Sequence, residues 1–178
     1  MTAIGDILHS GRRVAAHHPW PRVWVDVAGW ENAAYLAADG HCTLLSLWGE
    51  AAAVHMALAT PEASEIAVVS LACADGRFPS VGQSHPPAIR LERAIADLFG
   101  LQPVGAVDGR PWLDHGRWGR RHPLGAAAAD AGAGDAYGFR PVEGDSLHQL
   151  PVGPVHAGII EPGHFRFTAN GETVVRLE

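Results

Sequence analysis

Along RVWVDV, residues 22–27, apolar Val23, Val25 and Val27 alternate with Arg22, Trp24 and Asp26, the period of a strand with one buried face. Before it, residues 2–16 place Ile4, Ile7, Leu8 and Val14 on one helical stripe, weakened by Gly5 and Gly11, and HHPWP at 17–21 ends it. WENAAYLAA, 30–38, predicts a second helix closed at Asp39-Gly40. Three strand-like runs follow, CTLLSLW, AAVHMALA and EIAVVSLAC, separated at Gly49-Glu50 and at Thr60-Pro61, the first break being short enough for a hairpin. ADGRFPSVGQSHPP reads as a loop. PAIRLERAIADLF, 87–99, carries the clearest helical stripe, Ala88, Leu91, Ile95 and Leu98, with Arg90, Arg93 and Asp97 opposite and Gly100 as its stop. Arg93 and Asp97 are four apart and suit an ion pair along the helix.

Past residue 100 the periodicity fades. QPVGAVDGRPWLDHGRWGRRHPLG is loop-like, anchored by Trp112, Leu113 and Trp118, and the Ala/Gly run 125–138 predicts a weakly ordered tether. HFRFTANGETVVRL reads as a hairpin, with Asn170-Gly171 signalling a type I′ turn. The order helix, strand, helix, three strands, helix predicts an α+β fold, a mainly antiparallel sheet with helices packed on one face, followed by a tether and a C-terminal β-hairpin.

Composition narrows the function classes. The 178 residues suit one domain with tails, and 47% hydrophobic content supports a substantial core. A formal charge of -6 gives no reason to expect nucleic acid or an anionic membrane as partner. Cys42 and Cys73 lie in apolar runs and read as small buried hydrophobes in a reducing, cytoplasmic setting. No apolar run approaches the roughly 20 residues that span a bilayer, and MTAIGDILHSGRR does not read as a signal peptide.

Candidate chemistry is sparse. His148, His156 and His164 recur every eight residues and would hold zinc or nickel if they met, but Pro151, Pro154 and Pro162 keep the chain between them extended. His17 and His18, beside two prolines, read as a solvated turn. Asp114, His115 or His85 could act as acid or base, yet no nucleophile stands in a recognisable elbow. The sequence shows no GxGxxG after a strand, no Walker loop and no CxxC. Arg110, Arg117, Arg120 and Arg121 form a local basic patch with two readings, a solvated loop or a dock for an acidic partner. Trp20, Trp24, Trp112 and Trp118 lie outside the core runs, and tryptophan is favoured at interface hot spots.

ERAIADLFGLQPVGAVDGRPWLDHGRWGRRHPL resembles the signature of the 30 kDa (NuoC-like) subunit family of respiratory NADH dehydrogenase. The matching positions are Glu92, Arg93, Asp97, Phe99, Gly100, Arg110, Trp118, Gly119, His122, Pro123 and Leu124. Ala94 stands where the family usually has a second acidic residue, and the loop carries less charge than usual, which favours the hydrogenase-linked branch. With the element order before it, the resemblance covers residues 1–124 and implies a NuoC-like domain there.

PVGPVHAGIIEPGHFRFTANGETVVRLE resembles the N-terminal start of a group 4 NiFe-hydrogenase large subunit of the hydrogenase-4 or formate hydrogenlyase type, through Gly153, Pro154, His156, Glu161, Pro162, His164, Phe165 and Arg166. Members of that type carry both parts in one chain in this order. The resemblance implies a tether at 125–147 and, at 148–178, the opening hairpin of a large-subunit-like region, with its Gly-Pro-x-His loop near an active site and beside an iron-sulfur subunit. The two later cysteine pairs that hold nickel are not in this sequence, and Cys42 and Cys73 cannot substitute. The expectation is therefore a truncation, fragment or split subunit with no turnover alone, no catalytic residue and no metal or cofactor in this chain. The NiFe centre and iron-sulfur clusters belong to missing or partner parts. Implied partners are the large-subunit body, the iron-sulfur small subunit and, indirectly, membrane subunits, which places the chain in the cytoplasm, peripheral to the inner membrane. Self-association of the isolated chain through its apolar tail is a further expectation. The rival readings are a metal-dependent enzyme using the clustered histidines and a free-standing protein-interaction adaptor.

Overall fold

Thr2 opens the fold: its hydroxyl accepts the N–H of Gly5 at 3.1 Å and caps α1, Ala3–Ser10. The structure, a computed structural model, describes residues 2–126, 129–130, 132 and 138–178. It comprises two units, Met1–Gly134 and Asp135–Glu178. Most of the tether expected at 125–138 lies outside the described residues.

In the first unit, α1 buries Ile4 and Ile7 and stops at Gly11, so it is shorter than the stripe through Val14 predicts. β1, Arg12–Arg13, and β2, Arg22–Val25, follow. The Asp26 carboxylate accepts the Gly29 N–H at 2.8 Å and caps α2, Val27–Ala38, which therefore starts three residues before Trp30. β3, Thr43–Glu50, β4, Ala53–Ala59, and β5, Ile66–Ala72, complete a sheet of order β1-β2-β5-β4-β3. The expected hairpin joins β3 to β4, with its tip moved to residues 51–52.

Three of the sheet's four pairings are antiparallel, in line with the expectation, and the fourth, β2 with β5, is parallel. The cause is local. Asp26 sends the chain out of β2 directly into a helix, so β2 cannot turn back on itself as a hairpin. The loop expected at 73–86 also contains a strand, β6, Arg77–Pro79, which pairs in parallel with β7, Gln102–Val104. Between them lie a 3-10 turn, Pro86–Ala88, and α3, Ile89–Phe99, and after them β8, Arg120–Arg121, pairs antiparallel with β9, Ala129–Asp130.

The helices cover one face of the sheet. Ile4, Ile7, Trp30, Ala33, Ala37 and Ile95 meet Val23, Leu47, Val54, Met56, Leu58, Val69 and Leu71 in one buried core that also holds Cys42 and Cys73. Burial pushes both thiols up, Cys73 to about 11. Trp30 sits edge-to-face on Phe78 and donates its indole N–H to the Pro79 carbonyl at 3.0 Å. α3 reaches β3 where Gly49 has no side chain; a Cβ there would meet Phe99 at 2.8 Å.

On the opposite face, Trp24, Ser70, His55 and Trp48 align in register across four strands. His55 is fully buried, with its ring centroid 6.0 Å from Trp24 and 5.4 Å from Trp48. Its Nδ1 lies 2.9 Å from the Ser70 hydroxyl and 3.3 Å from the Arg22 guanidinium, which can only donate. Nδ1 is therefore the acceptor, and the ring proton sits on Nε2, 3.4 Å from a Glu50 carboxylate oxygen.

Burial pulls the His55 pKa down to about 4; Arg22 and, more weakly, His17 add to the fall, and Glu50 opposes it. The unfolded chain takes up this proton near pH 6.5 and the folded chain only near pH 4, so folding is weakened as pH drops through that window. Between pH 7 and pH 5 the loss is about 2 kcal/mol. Thermal melts of the wild type and His55→Met across that range check it. The wild type should lose stability more steeply than the variant; parallel profiles would remove His55 as the cause.

The second unit carries a three-stranded antiparallel sheet, where a two-stranded hairpin was expected. β10, Leu147–Val152, joins β11, Phe165–Asn170, and β12, Thr173–Leu177, in that order. The prolines that keep 148–154 extended suit an edge strand, and Pro151 lies within β10. The β11–β12 turn residues are Gly171 and Glu172, with positive φ at Gly171 alone, the II′ pattern instead of the I′ expected from Asn170-Gly171. Register puts Val152 with Phe165, and Leu150 with Phe167 and Leu177, on one face, where Leu150, Val152, Phe165 and Leu177 are exposed. On the other face the Arg166 guanidinium lies 3.7 Å over the Phe139 ring, and Arg176 donates to the Arg140 carbonyl at 2.9 Å.

Candidate functional site

The chemistry-bearing residues of the signature sit on α3 and on the loops it holds. Glu92 points inward and is 2% exposed. One carboxylate oxygen accepts the N–H groups of Val81 and Gly82, and the other accepts the Ser80 hydroxyl at 2.8 Å. Burial raises its pKa against the opposing pull of these three hydrogen bonds. The loop after β6 is thus closed by a side chain from a different element, because its amides would otherwise be buried without partners.

Arg93 turns the other way. Its Nε donates to the Arg110 carbonyl at 2.6 Å and one Nη to the Pro111 carbonyl at 2.9 Å; the second Nη pairs with Asp108 at 3.0 Å. One Asp97 oxygen collects the N–H groups of Trp112, Leu113 and Asp114 at 2.7, 2.6 and 3.2 Å. The ion pair expected between Arg93 and Asp97 does not form. Both groups are spent on the loop at 108–114, whose backbone offers more partners than a single carboxylate. Arg110 grips Asp108 through two nitrogens, at 2.9 and 2.7 Å, which with Arg93 holds the Asp108 carboxyl far below the usual range. The Trp112 ring lies 5.2 Å from the guanidinium carbons of both Arg90 and Arg93.

The end of the signature closes the C-terminus of α3. Gly100 stops the helix at φ +76, and a Cβ there would press on the His122 ring at 3.0 Å. Leu124 N–H donates to the Leu98 carbonyl at 3.0 Å, and His122 Nδ1 lies 3.3 Å from the Asp97 carbonyl. The segment His122–Leu124 therefore satisfies carbonyls that a helix end leaves open. Pro123, Trp118 and Gly119 stay exposed.

In the second unit, His156 Nε2 reaches the Gly163 carbonyl at 2.8 Å and its ring lies 5.6 Å from Phe165. Gly153, at φ +89, makes room for that closure, since a Cβ would meet both Gly163 and His156. Pro154 carbonyl accepts the Gly163 N–H at 3.3 Å. His164 instead lies beside Phe139, with ring centroids 5.6 Å apart and the planes tilted by 58°, and His148 stands exposed on β10. Glu161 and Pro162 lie between on the loop, with Glu161 exposed. The three histidines thus occupy three separate environments. Among the described residues no three His, Cys, Asp or Glu side chains converge as a ligand set.

Two features were not foreseen from sequence. Glu50, His55 and Ser70 have the atoms of a hydrolytic triad, but Ser70 is fully buried and its oxygen accepts from Arg22 Nε at 2.8 Å, so no substrate reaches it. A groove of about 740 Å³ runs between α2 and β6, lined by Glu31, Tyr35, Asp75, Arg77, Ser80 and Ser84, and the loop held by Glu92 forms one wall.

Fold and signature geometry together describe an α+β domain whose marked residues organise backbone. The family described as "Respiratory-chain NADH dehydrogenase, 30 Kd subunit" matches residues 23–129, and the chain belongs to it. Among its relatives, it is 37% identical over 134 residues to Hydrogenase-4 component G of Escherichia coli (strain K12), covering 69% of this chain and 24% of that protein. It is 36% identical over 107 residues to Formate hydrogenlyase subunit 5 of the same organism, covering 55% of this chain and 19% of the relative. The chain thus spans about a quarter or less of the length of these relatives. A chain of the membrane-bound sulfane sulfur reductase, an archaeal respiratory membrane complex, overlaps at 17% identity and a TM-score of 0.44, with 62% of this chain and 74% of that chain covered.

Removing the Glu92 carboxylate should strand two buried amides. Glu92→Ala is expected to cost about 3 kcal/mol and lower the melting temperature by roughly 10 °C. Differential scanning calorimetry of the full chain measures it, and an unchanged melt would show that the loop at 80–84 does not depend on this residue.

Proposed function

We propose that the chain is a non-catalytic, assembly-forming part of a hydrogenase-4 or formate hydrogenlyase-like redox complex. The observation that carries this reading is the use of the signature residues. Glu92, Arg93 and Asp97 all hold backbone of their own domain, and Arg93 and Asp97 fix an exposed loop. A domain built in this way presents a shaped surface to a neighbour. The names of the two relatives, a component and a subunit, support the same setting.

On this reading residues 1–124 form the 30 kDa domain and 148–178 begin a large-subunit-like region. The exposed apolar face of Leu150, Val152, Phe165 and Leu177 would then pack on the large-subunit body. The loop closed by His156 and Gly163 would lie towards the iron-sulfur small subunit. The NiFe centre and the clusters belong to those partners. Association would be with the cytoplasmic side of the inner membrane through membrane subunits; no described helix is long and apolar enough to cross a bilayer.

The test is size-exclusion chromatography of the tagged full chain from its own host, with mass spectrometry of each fraction. Hydrogenase large- and small-subunit polypeptides should travel with it in fixed ratio. A chain that elutes without either polypeptide would contradict the reading.

A further inference from the structure

Residues 105–124 are largely exposed and, apart from the two-residue strand at Arg120–Arg121, irregular, yet they are held by α3 at 110–114 and at 124. Arg93 takes the carbonyls of Arg110 and Pro111, Asp97 takes the amides of residues 112–114, and Leu124 is tied to the end of α3. Such fixing is not needed to cover a core, because Trp112, Leu113, Trp118 and Leu124 remain 42%, 38%, 43% and 57% exposed. A loop ordered in advance loses less entropy when it meets a partner. Exposed tryptophan beside arginine is also the composition enriched at binding hot spots.

The charge of this surface is opposite to that of the chain. The segment carries four arginines, Arg110, Arg117, Arg120 and Arg121, against Asp108 and Asp114, while the whole chain stands at -6. Asp108 is already occupied by Arg93 and Arg110, and the Asp114 carboxylate accepts the Gly116 N–H at 2.8 Å. Asp130 lies opposite Arg120 in the short β8–β9 pair, Arg120–Arg121 with Ala129–Asp130. Among the described residues the side chains of Arg117, Arg120 and Arg121 have no hydrogen bond or ion pair, so their charge is available. All thirteen basic residues of the chain are arginine, the side chain whose planar fork binds carboxylates through two hydrogen bonds.

We infer that the Trp112–Leu124 face is a docking surface for a protein partner that presents clustered Asp and Glu side chains around an apolar patch. The inference rests on the reading of the chain as part of a redox complex and names the chemistry of the surface it meets there. The negative charge of the chain as a whole opposes an extended polyanion, whereas a compact carboxylate cluster experiences mainly the nearby arginines within a Debye length of about 8 Å. That distinction favours protein over nucleic acid or an anionic bilayer.

The experiment compares tagged full chains from the native host at physiological ionic strength: wild type, a triple variant Arg117→Glu, Arg120→Glu, Arg121→Glu, and a control Arg12→Glu, Arg13→Glu on exposed β1. Circular dichroism melts confirm that the variants fold. Wild type and control should retain the hydrogenase large- and small-subunit polypeptides, and the triple variant should lose about tenfold or more of one of them. Dihydrazide coupling should join Asp114 of the wild type to an Asp or Glu of that same polypeptide. Equal retention by wild type and triple variant overturns the docking surface and leaves the complex reading standing. A wild type that retains neither polypeptide overturns the complex reading and this inference with it. Binding of a single-stranded oligonucleotide or of phosphatidylglycerol vesicles that the triple variant loses, without loss of either polypeptide, overturns the assignment to protein.

Discussion

Three polar side chains within six positions of one helix hold together loops that have no core of their own. Glu92 closes the loop at 80–84, while Arg93 and Asp97 hold 108–114. The constraint behind this is the demand of backbone amides and carbonyls for partners. Neither segment can meet it with a regular strand ladder, since both follow short strands of three residues. A helix can meet it, because residue 92 projects to one side of a single rigid rod while residues 93 and 97, four apart, project together to another. The buried stripe of α3, which Glu92 shares, is fixed in turn by Ile95 in the core and by Phe99 seated on Gly49. Packing thus sets the helix, and the helix sets the loops.

The same logic governs the buried polar groups of the five-stranded sheet. His55 and Ser70 face each other across the sheet and are fully buried, with the exposed Glu50 3.4 Å from His55. His55 is kept neutral, Ser70 is committed to Arg22, and the two flanking tryptophans close the space a substrate would need. In the second unit His156 is spent on closing a loop against Gly163. His55 and His156 serve the fold in the two units, and arginine and tryptophan stand exposed on the loop after β7.

Much of the architecture was legible in the sequence, for physical reasons that differ by element. Alternating Val23 and Val25 and the stripe of α3 announce their elements directly, and both reach the core. The parallel pairing of β2 with β5 was not legible, since alternation within a strand says nothing about which neighbour it takes. β10 escaped notice because LHQLPV has little β-branched content and one proline; its partner β11 supplies the order. At the candidate site, the signature residues were visible but their partners were not. Spacing of four suggested that Arg93 and Asp97 pair along the helix, whereas long-range contacts across some fifteen residues of chain took both side chains. The role of Glu92 was similarly hidden, because its partners are backbone atoms of Val81 and Gly82, which carry no sequence signal.

The account stands most directly on Asp97. Native-state hydrogen exchange of the full chain, read at the amides of Trp112, Leu113 and Asp114, measures whether its carboxylate holds them. In Asp97→Ala these three amides should exchange roughly 30-fold faster, the equivalent of about 2 kcal/mol of local stability, while the amides of β4 and β5 keep their protection. Unchanged exchange at residues 112–114 would contradict the claim that α3 builds this surface.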